Sequence, residues 1–219
     1  MSRFDELFSA AASERIRAAV AKAEDRTSGE IVPYVVDTSD SYAGSFWLSA
    51  LLGALAGPLA ALAVYQRFEL WGLVPMVWLL SPVFAGAIAG YLAAWTMPAW
   101  RRWLAGEETL IRRTRRRAAV AFLEEEVFKT RDRTGILIFL SLFERRVVIL
   151  GDEGINRRVQ EDEWQAVVGG IVAGIHAGRH SEALVEAIDR CGVLLERRGV
   201  AIRSDDTDEL SDELRRRDS

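Results

Sequence analysis

Apolar and polar positions follow different rhythms along this chain, and each change of rhythm marks out a part of it. Over residues 4–25, Leu7, Phe8, Ala12, Ile16, Ala19, Val20 and Ala23 recur every three or four positions, as on one face of an amphipathic helix. The stretch GEIVPYVVD (29–37) then reads as a strand, with Pro33 pointing to an edge or a bulge because proline cannot donate to a ladder. From Phe46 the alternation stops. Within residues 46–95 the only charged residues are Arg67 and Glu69. The apolar runs beside them, Phe46–Tyr65 and Leu70–Trp95, each reach the roughly 20 residues that cross about 30 Å of hydrocarbon. Two membrane spans are predicted, joined by the short link Gln66–Glu69 into a tight hairpin.

Soluble rhythms return after residue 106. A helix is predicted over 106–129, Arg-rich at first and then apolar at Ala118, Ala121, Phe122 and Phe128. GILIFLSLFERRVVILGDEGI (135–155) reads as two strands turning around Phe143–Arg145, and their near-continuous apolar runs imply burial on both faces. Two helices follow, over 156–177 and 181–198, with Trp164, Val168, Ile171 and Ile175 on one stripe and Leu184, Ile188, Cys191 and Leu195 on the other. The tail 204–219 has so little apolar content that disorder is expected.

This order predicts an α/β fold: a small mixed sheet covered by helices on both faces, with the hairpin inserted after the first strand. An exposed loop whose ends lie close together tolerates such an insertion. The expected parts are 1–40 and 106–203 as one domain, 46–98 as the hairpin and 204–219 as the tail.

Charge refines the picture. The net charge of −4 argues against a nucleic-acid partner, since phosphate neutralisation needs a basic surface. All but Lys22 and Lys129 of the 28 basic residues are arginine. Arg101, Arg102, Arg112, Arg113, Arg115, Arg116 and Arg117 follow the second span, against one Arg in the link. By the positive-inside rule, the soluble parts and both termini are expected in the cytoplasm. The same cluster suits anionic lipid headgroups, the alternative being a purely topological role. The charged N-terminus carries no apolar signal region. The single cysteine, Cys191, excludes an internal disulfide and suits a reducing compartment.

Small residues recur four apart in both spans: Ser49, Gly53, Gly57 and Ala61 in the first, and Gly86, Gly90 and Ala94 in the second. Such faces let helix backbones approach closely. They serve either packing within one hairpin or a homo-oligomeric seam. Trp47, Trp71, Trp95, Trp100 and Trp103 lie at or near the span ends, as in an aromatic belt. Pro58, Pro75 and Pro82 are tolerated kink positions.

Candidate chemistry is confined to carboxylates at strand ends. Asp37, Asp132, Asp152 and Glu153 could present oxygen ligands to Ca²⁺ or Mg²⁺, in the crevice where open α/β sheets collect ligands. The competing reading is that they satisfy turn backbone. GDEG has neither phosphate-loop nor dinucleotide spacing. His176 and His180 are four apart, but Gly178 between them reads as a helix end.

Several motifs, in order, resemble the TPM domain family of thylakoid-lumen and bacterial membrane-associated proteins. They are A-E-x-x-T-S-G-E-I-V (Ala23–Val32), R-x-x-x-A (Arg117–Ala121), D-R-T-G-I-L-I-F-L-S (132–141) and E-R-R-V-V-I-L-G-D-E-G-I (144–155), with a Trp-bearing helix after them. The resemblance covers about 1–37 and 106–198. It implies an α/β sandwich tied to a membrane, in a family linked to photosystem repair, weak acid phosphatase activity and divalent-cation binding. The commoner layout is an exported domain with a C-terminal anchor, from which this chain departs.

The expectation is therefore a cytoplasmic binding or scaffold module at a bacterial inner membrane, multi-pass through two spans. Its partners would be lipids and other membrane proteins, with a role in their assembly or quality control. A divalent-metal-dependent phosphatase is the second reading. A glycine-face oligomer regulated by its soluble domain is the third.

Overall fold

A computed structural model describes residues 7–67, 76–200 and 210–217. The chain forms two compact units: Met1–Asp40 with Arg112–Ser219, and Ser41–Ile111.

In the first unit, helix α1 (Ala10–Glu24) begins where the Ser9 hydroxyl accepts from Ala12 N at 3.3 Å, satisfying one of the orphan amides of a helix start. Strand β1 (Glu30–Val36) pairs in parallel with β2 (Gly135–Ser141), Glu30 opposite Gly135 and Val36 opposite Ser141. The two are neighbours although the whole hairpin lies between them in sequence. Strand β3 (Arg146–Gly151) runs antiparallel to β2. A fourth strand, β4 (Arg215–Arg217), adds in parallel to β1 at Tyr34–Val36. The sheet is mixed, with order β3-β2-β1-β4.

Alternation along the strands feeds two cores, since successive side chains point to opposite faces. Ile31 and Val35 of β1 and Ile136, Ile138 and Leu140 of β2 pack with Ile16 and Val20 of α1. Helices α7 (Glu161–His176) and α8 (His180–Arg197) close that face with Trp164, Ile171, Leu184 and Ile188. On the other face Val32, Tyr34, Val36, Leu137 and Phe139 pack with Ala118 and Ala121 of helix α5 (Glu107–Glu124) and with Val127. Full burial of one such aliphatic or aromatic side chain contributes about 1.5–3 kcal/mol, so these two layers dominate the unit.

The second unit holds α2 (Ala43–Arg67), α3 (Met76–Thr96) and α4 (Pro98–Ala105). α2 extends three residues before and two after the predicted span. Residues 68–75, which include Glu69, Trp71 and Pro75, lie outside the described residues, as do 201–209, within which the tail begins.

The structure corrects several expectations. Part of the tail is ordered: residues 215–217 are a strand, held by the Arg215–Glu125 pair at 2.9 Å, with Leu214 against one core and Leu210 against the other. Backbone pairing to an open strand edge needs no apolar side chains, so composition alone missed it. β3 packs against both cores, Val147 and Ile149 on one face and Val148 and Leu150 on the other, but is only half-buried because it is the sheet's edge. β1 is internal over Tyr34–Val36, but its β4 ladder starts one residue after Pro33, so the proline lies outside that ladder. The helix predicted over 106–129 breaks at Glu126 (φ 55°) into a short 3₁₀ turn, Val127–Lys129. His176 ends α7 and His180 begins α8, with Gly178 at φ 76° between them.

Candidate functional site: helical hairpin and strand-end carboxylates

In the hairpin, the predicted glycines carry the packing. A Cβ at Gly53 would lie 2.0 Å from the Gly86 carbonyl oxygen, and one at Gly57 would lie 2.0 Å from that of Pro82. A Cβ at Gly86 would lie 2.1 Å from the Gly53 oxygen, and one at Gly90 2.1 Å from that of Ser49. The order of these partners makes the helices antiparallel and puts backbone directly on backbone. Ser49 Oγ donates to the Gly90 carbonyl at 2.6 Å. Both glycine faces are thus used within one chain. Of the two readings of this period, packing within one hairpin is the one these contacts show.

Large apolar side chains point outward. Leu59 is 69% exposed and Phe84 66%, with Leu51, Leu55, Leu62 and Ile88 also exposed. Ala43–Arg67 is long and apolar enough by itself to cross a membrane. Leu80–Thr96 qualifies together with Pro98–Ala105, from which it is bent by 101°.

Aromatics gather at one end of the hairpin. Phe46 and Trp47 of α2 lie 5.4 and 6.1 Å from Tyr91 of α3. Trp100 Nε1 donates to Ser49 Oγ at 2.8 Å and its ring stacks on Trp103 at 5.0 Å.

The seven arginines do not share one environment. Arg101 sits over the Phe46 ring at 5.3 Å. Arg113 pairs with Asp40 at 3.0 Å. Arg117 pairs with Glu124 at 3.2 Å, donates to Tyr34 Oη at 2.9 Å and lies over that ring. These contacts hold Arg113 and Arg117 in the α/β unit, a correction that follows from the helix period: positions 113 and 117 share the face of α5 that also presents Thr114 and Ala121 inward. Arg112, Arg115 and Arg116 are exposed on α5.

The register separates the four carboxylates. Asp37 follows the C-terminal end of β1, beside the C-terminal end of β2. Asp132 precedes β2, and Asp152 and Glu153 follow β3, whose end lies opposite Ile136. Asp37 is therefore the length of β2 away from the others, about 20 Å for seven residues. Asp152 accepts from Glu153 N at 2.8 Å as the N-cap of α6 (Glu153–Asn156), and pairs with Arg133 at 2.9 Å. Glu153 pairs with Arg157. Gly154 N donates to the Arg133 carbonyl at 2.9 Å, and a Cβ there would lie 2.4 Å from the Asp132 carbonyl oxygen. GDEG is thus a tight turn seated on the Asp132–Arg133 backbone. Among the described residues, no group of three or more His, Cys, Asp or Glu side chains is arranged to hold a metal ion.

A polar cluster that the sequence reading missed lies at the other end of the sheet. Glu144 is buried and accepts from Ser39 N at 2.8 Å and from the hydroxyl of the fully buried Ser141. Ser39 Oγ and Ser141 Oγ are 3.0 Å apart. Leu142 N and Phe143 N donate to the Val36 and Asp37 carbonyls. The β2–β3 turn therefore clamps the segment that leaves β1. A glutamate closing an apolar run at a turn is the only sequence signal for it. Cys191 is buried on the core face of α8, and burial pushes its thiol up to about 12.

No protein-family model and no curated protein matches the chain. A solved structure does. The NMR structure of BA42 protein from the psychrophilic bacterium Bizionia argentinensis sp. nov. is similar over 99% of this chain and 100% of that one, with a TM-score of 0.60 and 20% identity. At that identity the likeness concerns the fold alone.

Proposed function

We propose that this protein is a membrane-anchored, TPM-like binding or scaffold module, held in a bacterial inner membrane by its hairpin with the α/β unit and both termini in the cytoplasm. The observation that carries the proposal is the inversion of the hairpin: glycines and Ser49 inside, large apolar side chains outside. An exposed apolar surface of this kind marks an interaction with a membrane or a protein. α2 spans about 37 Å at 1.5 Å per residue, which suits a bilayer. The excess of arginine after the second span supports the cytoplasmic orientation. The TPM-like reading is supported by motif order around a small mixed sheet. A scaffold role fits a sheet joined on both sides to its own anchor, with partners among other membrane proteins in their assembly or quality control.

The test is a C-terminal reporter fusion in bacterial cells with alkaline washing of the membranes. Fluorescence of a cytoplasm-dependent reporter in wash-resistant membranes is expected. Activity of a periplasm-dependent enzyme fusion would overturn the orientation, and release by the wash would overturn the anchoring. Phosphoester hydrolysis by the purified chain, abolished by Asp37→Ala or Asp132→Ala, would overturn the scaffold reading in favour of the phosphatase.

A further inference from the structure

Helix α4 is a feature that two simple spans do not account for. The chain turns by 101° between Leu80–Thr96 and Pro98–Ala105, with Met97 outside the helical region (φ −115°, ψ 88°) and Pro98 opening the new helix. Proline suits a first helical position, where its missing N–H has no intrahelical partner. Spans tilt by about 20° from the bilayer normal on average, so a helix turned through 101° runs near the membrane plane.

Two contacts tie α4 to the spans, and a third stiffens α4 itself. Trp100 Nε1 donates to Ser49 Oγ at 2.8 Å, and that hydroxyl donates to the Gly90 carbonyl at 2.6 Å. One serine therefore ties α4 to both spans. Trp100 stacks on Trp103 at 5.0 Å. The Arg101 guanidinium lies over Phe46 at 5.3 Å. Trp103 nevertheless remains 69% exposed, as do Trp95 at 68% and Met97 at 55%. These side chains share one end of the hairpin with Phe46, Trp47 and Tyr91. Aromatic rings with one polar edge favour the headgroup level, and Arg101 and Arg102 lie between Trp100 and Trp103 along α4.

We propose that α4 is an interfacial helix: Trp103 rests at the boundary of headgroups and acyl chains, and Arg101 with Arg102 takes the phosphates of anionic phospholipids. The proposal rests on the anchoring reading above. It adds a ligand class and a depth. An in-plane helix with an apolar face sinks about 5–10 Å into that boundary, and this one sets how deep the spans sit.

The test uses the full chain in a Cys191→Ala background, reconstituted into phosphatidylcholine vesicles with or without phosphatidylglycerol. A nitroxide is placed at Trp103→Cys, at Ala99→Cys as a second position on α4, and at Leu55→Cys on the outward face of α2. Depth is read by power saturation with oxygen and a water-soluble nickel chelate. Expected are boundary depths for the two α4 labels and the hydrocarbon core for the α2 label. α4 labels in water, or deep in the core, with the α2 label in the core would overturn this inference and leave anchoring intact. An α2 label in water would overturn the anchoring itself. For the headgroups, association of spin-labelled phosphatidylglycerol relative to phosphatidylcholine is measured with Arg101→Gln and Arg102→Gln. A drop of about fivefold per arginine is expected, and an unchanged ratio would overturn the headgroup contact.

Discussion

The two units use the same residue types in opposite ways. In the α/β unit Phe139, Ile138 and Leu184 are wholly enclosed. In the hairpin Leu59, Phe84 and Ile88 face outward, and glycine occupies the inside. The first arrangement is what water imposes, since removing apolar surface from water is the main favourable term in folding. The second gains little from apolar burial between helices and depends on close backbone approach, as helices in lipid do. What stabilises each unit therefore differs, and substitutions can separate them.

The largest expected effect is Phe139→Ala. It should cost about 3–5 kcal/mol of the α/β unit's stability through lost transfer energy and a residual cavity, read by denaturant titration of the full chain in detergent. The matching change in the hairpin, Leu59→Ala, should stay within about 0.5 kcal/mol, because that side chain is 69% exposed. Equal costs at the two sites would break the comparison.

Gly86→Leu comes next. Its side chain would meet the Gly53 backbone, where no rotamer offers escape, so a cost at the top of the about 1–3 kcal/mol overpacking range is expected. Amide hydrogen exchange in α2 and α3 should rise while β2 stays protected. Gly44→Ala, at a position with open space around it, is the control and should change neither.

A middle-sized effect tests the clamp between the sheet and the segment leaving β1. Glu144→Ala should cost about 1–3 kcal/mol by leaving Ser141 and Ser39 N without their acceptor, with faster exchange at Ser39. Glu144→Gln keeps an acceptor and should cost less. If Glu144→Ala leaves Ser39 exchange unchanged, the clamp is not holding that segment.

The smallest effect at neutral pH is that of Cys191. Its thiol is held neutral up to about 12 in the fold, against an ordinary value of 9.0. Above that ordinary value the unfolded chain loses the proton and the native one keeps it. Stability therefore falls as pH rises from about 9 towards about 12, and below that window the thiol contributes no pH dependence. Cys191→Ala should flatten the alkaline limb of a melting-temperature profile.

The elements with strong periodicity were legible from residues alone. The α1 stripe Ile16–Val20–Ala23, the apolar run Gly135–Ser141, and the stretches around Gly53 and Gly86 all carry patterns that local spacing encodes. Among the site residues, Gly53, Gly57, Gly86 and Gly90 were legible, because only glycine at that period lets two helices touch. The carboxylates were less so. Asp37 and Asp152 look equivalent in sequence, each ending an apolar strand, yet β3 runs antiparallel and puts them at opposite ends of the sheet. Strand direction is a property of pairing, not of either strand. Glu144 and β4 were hidden for a related reason: a buried carboxylate and a three-arginine strand both contradict composition, and each is stabilised by backbone groups contributed from elsewhere.

By itself, then, the sequence determined where the chain is helical, where it is extended, and that residues 46–95 carry almost no charge, because those properties depend on near neighbours. The tertiary structure alone decided that the sheet closes across the hairpin, that the glycine faces meet each other within one chain, that Arg113 and Arg117 turn to protein partners, and that α4 bends away by 101°. Each of those outcomes depends on groups far apart in the chain competing for one partner, and only their arrangement in space settles which contact forms.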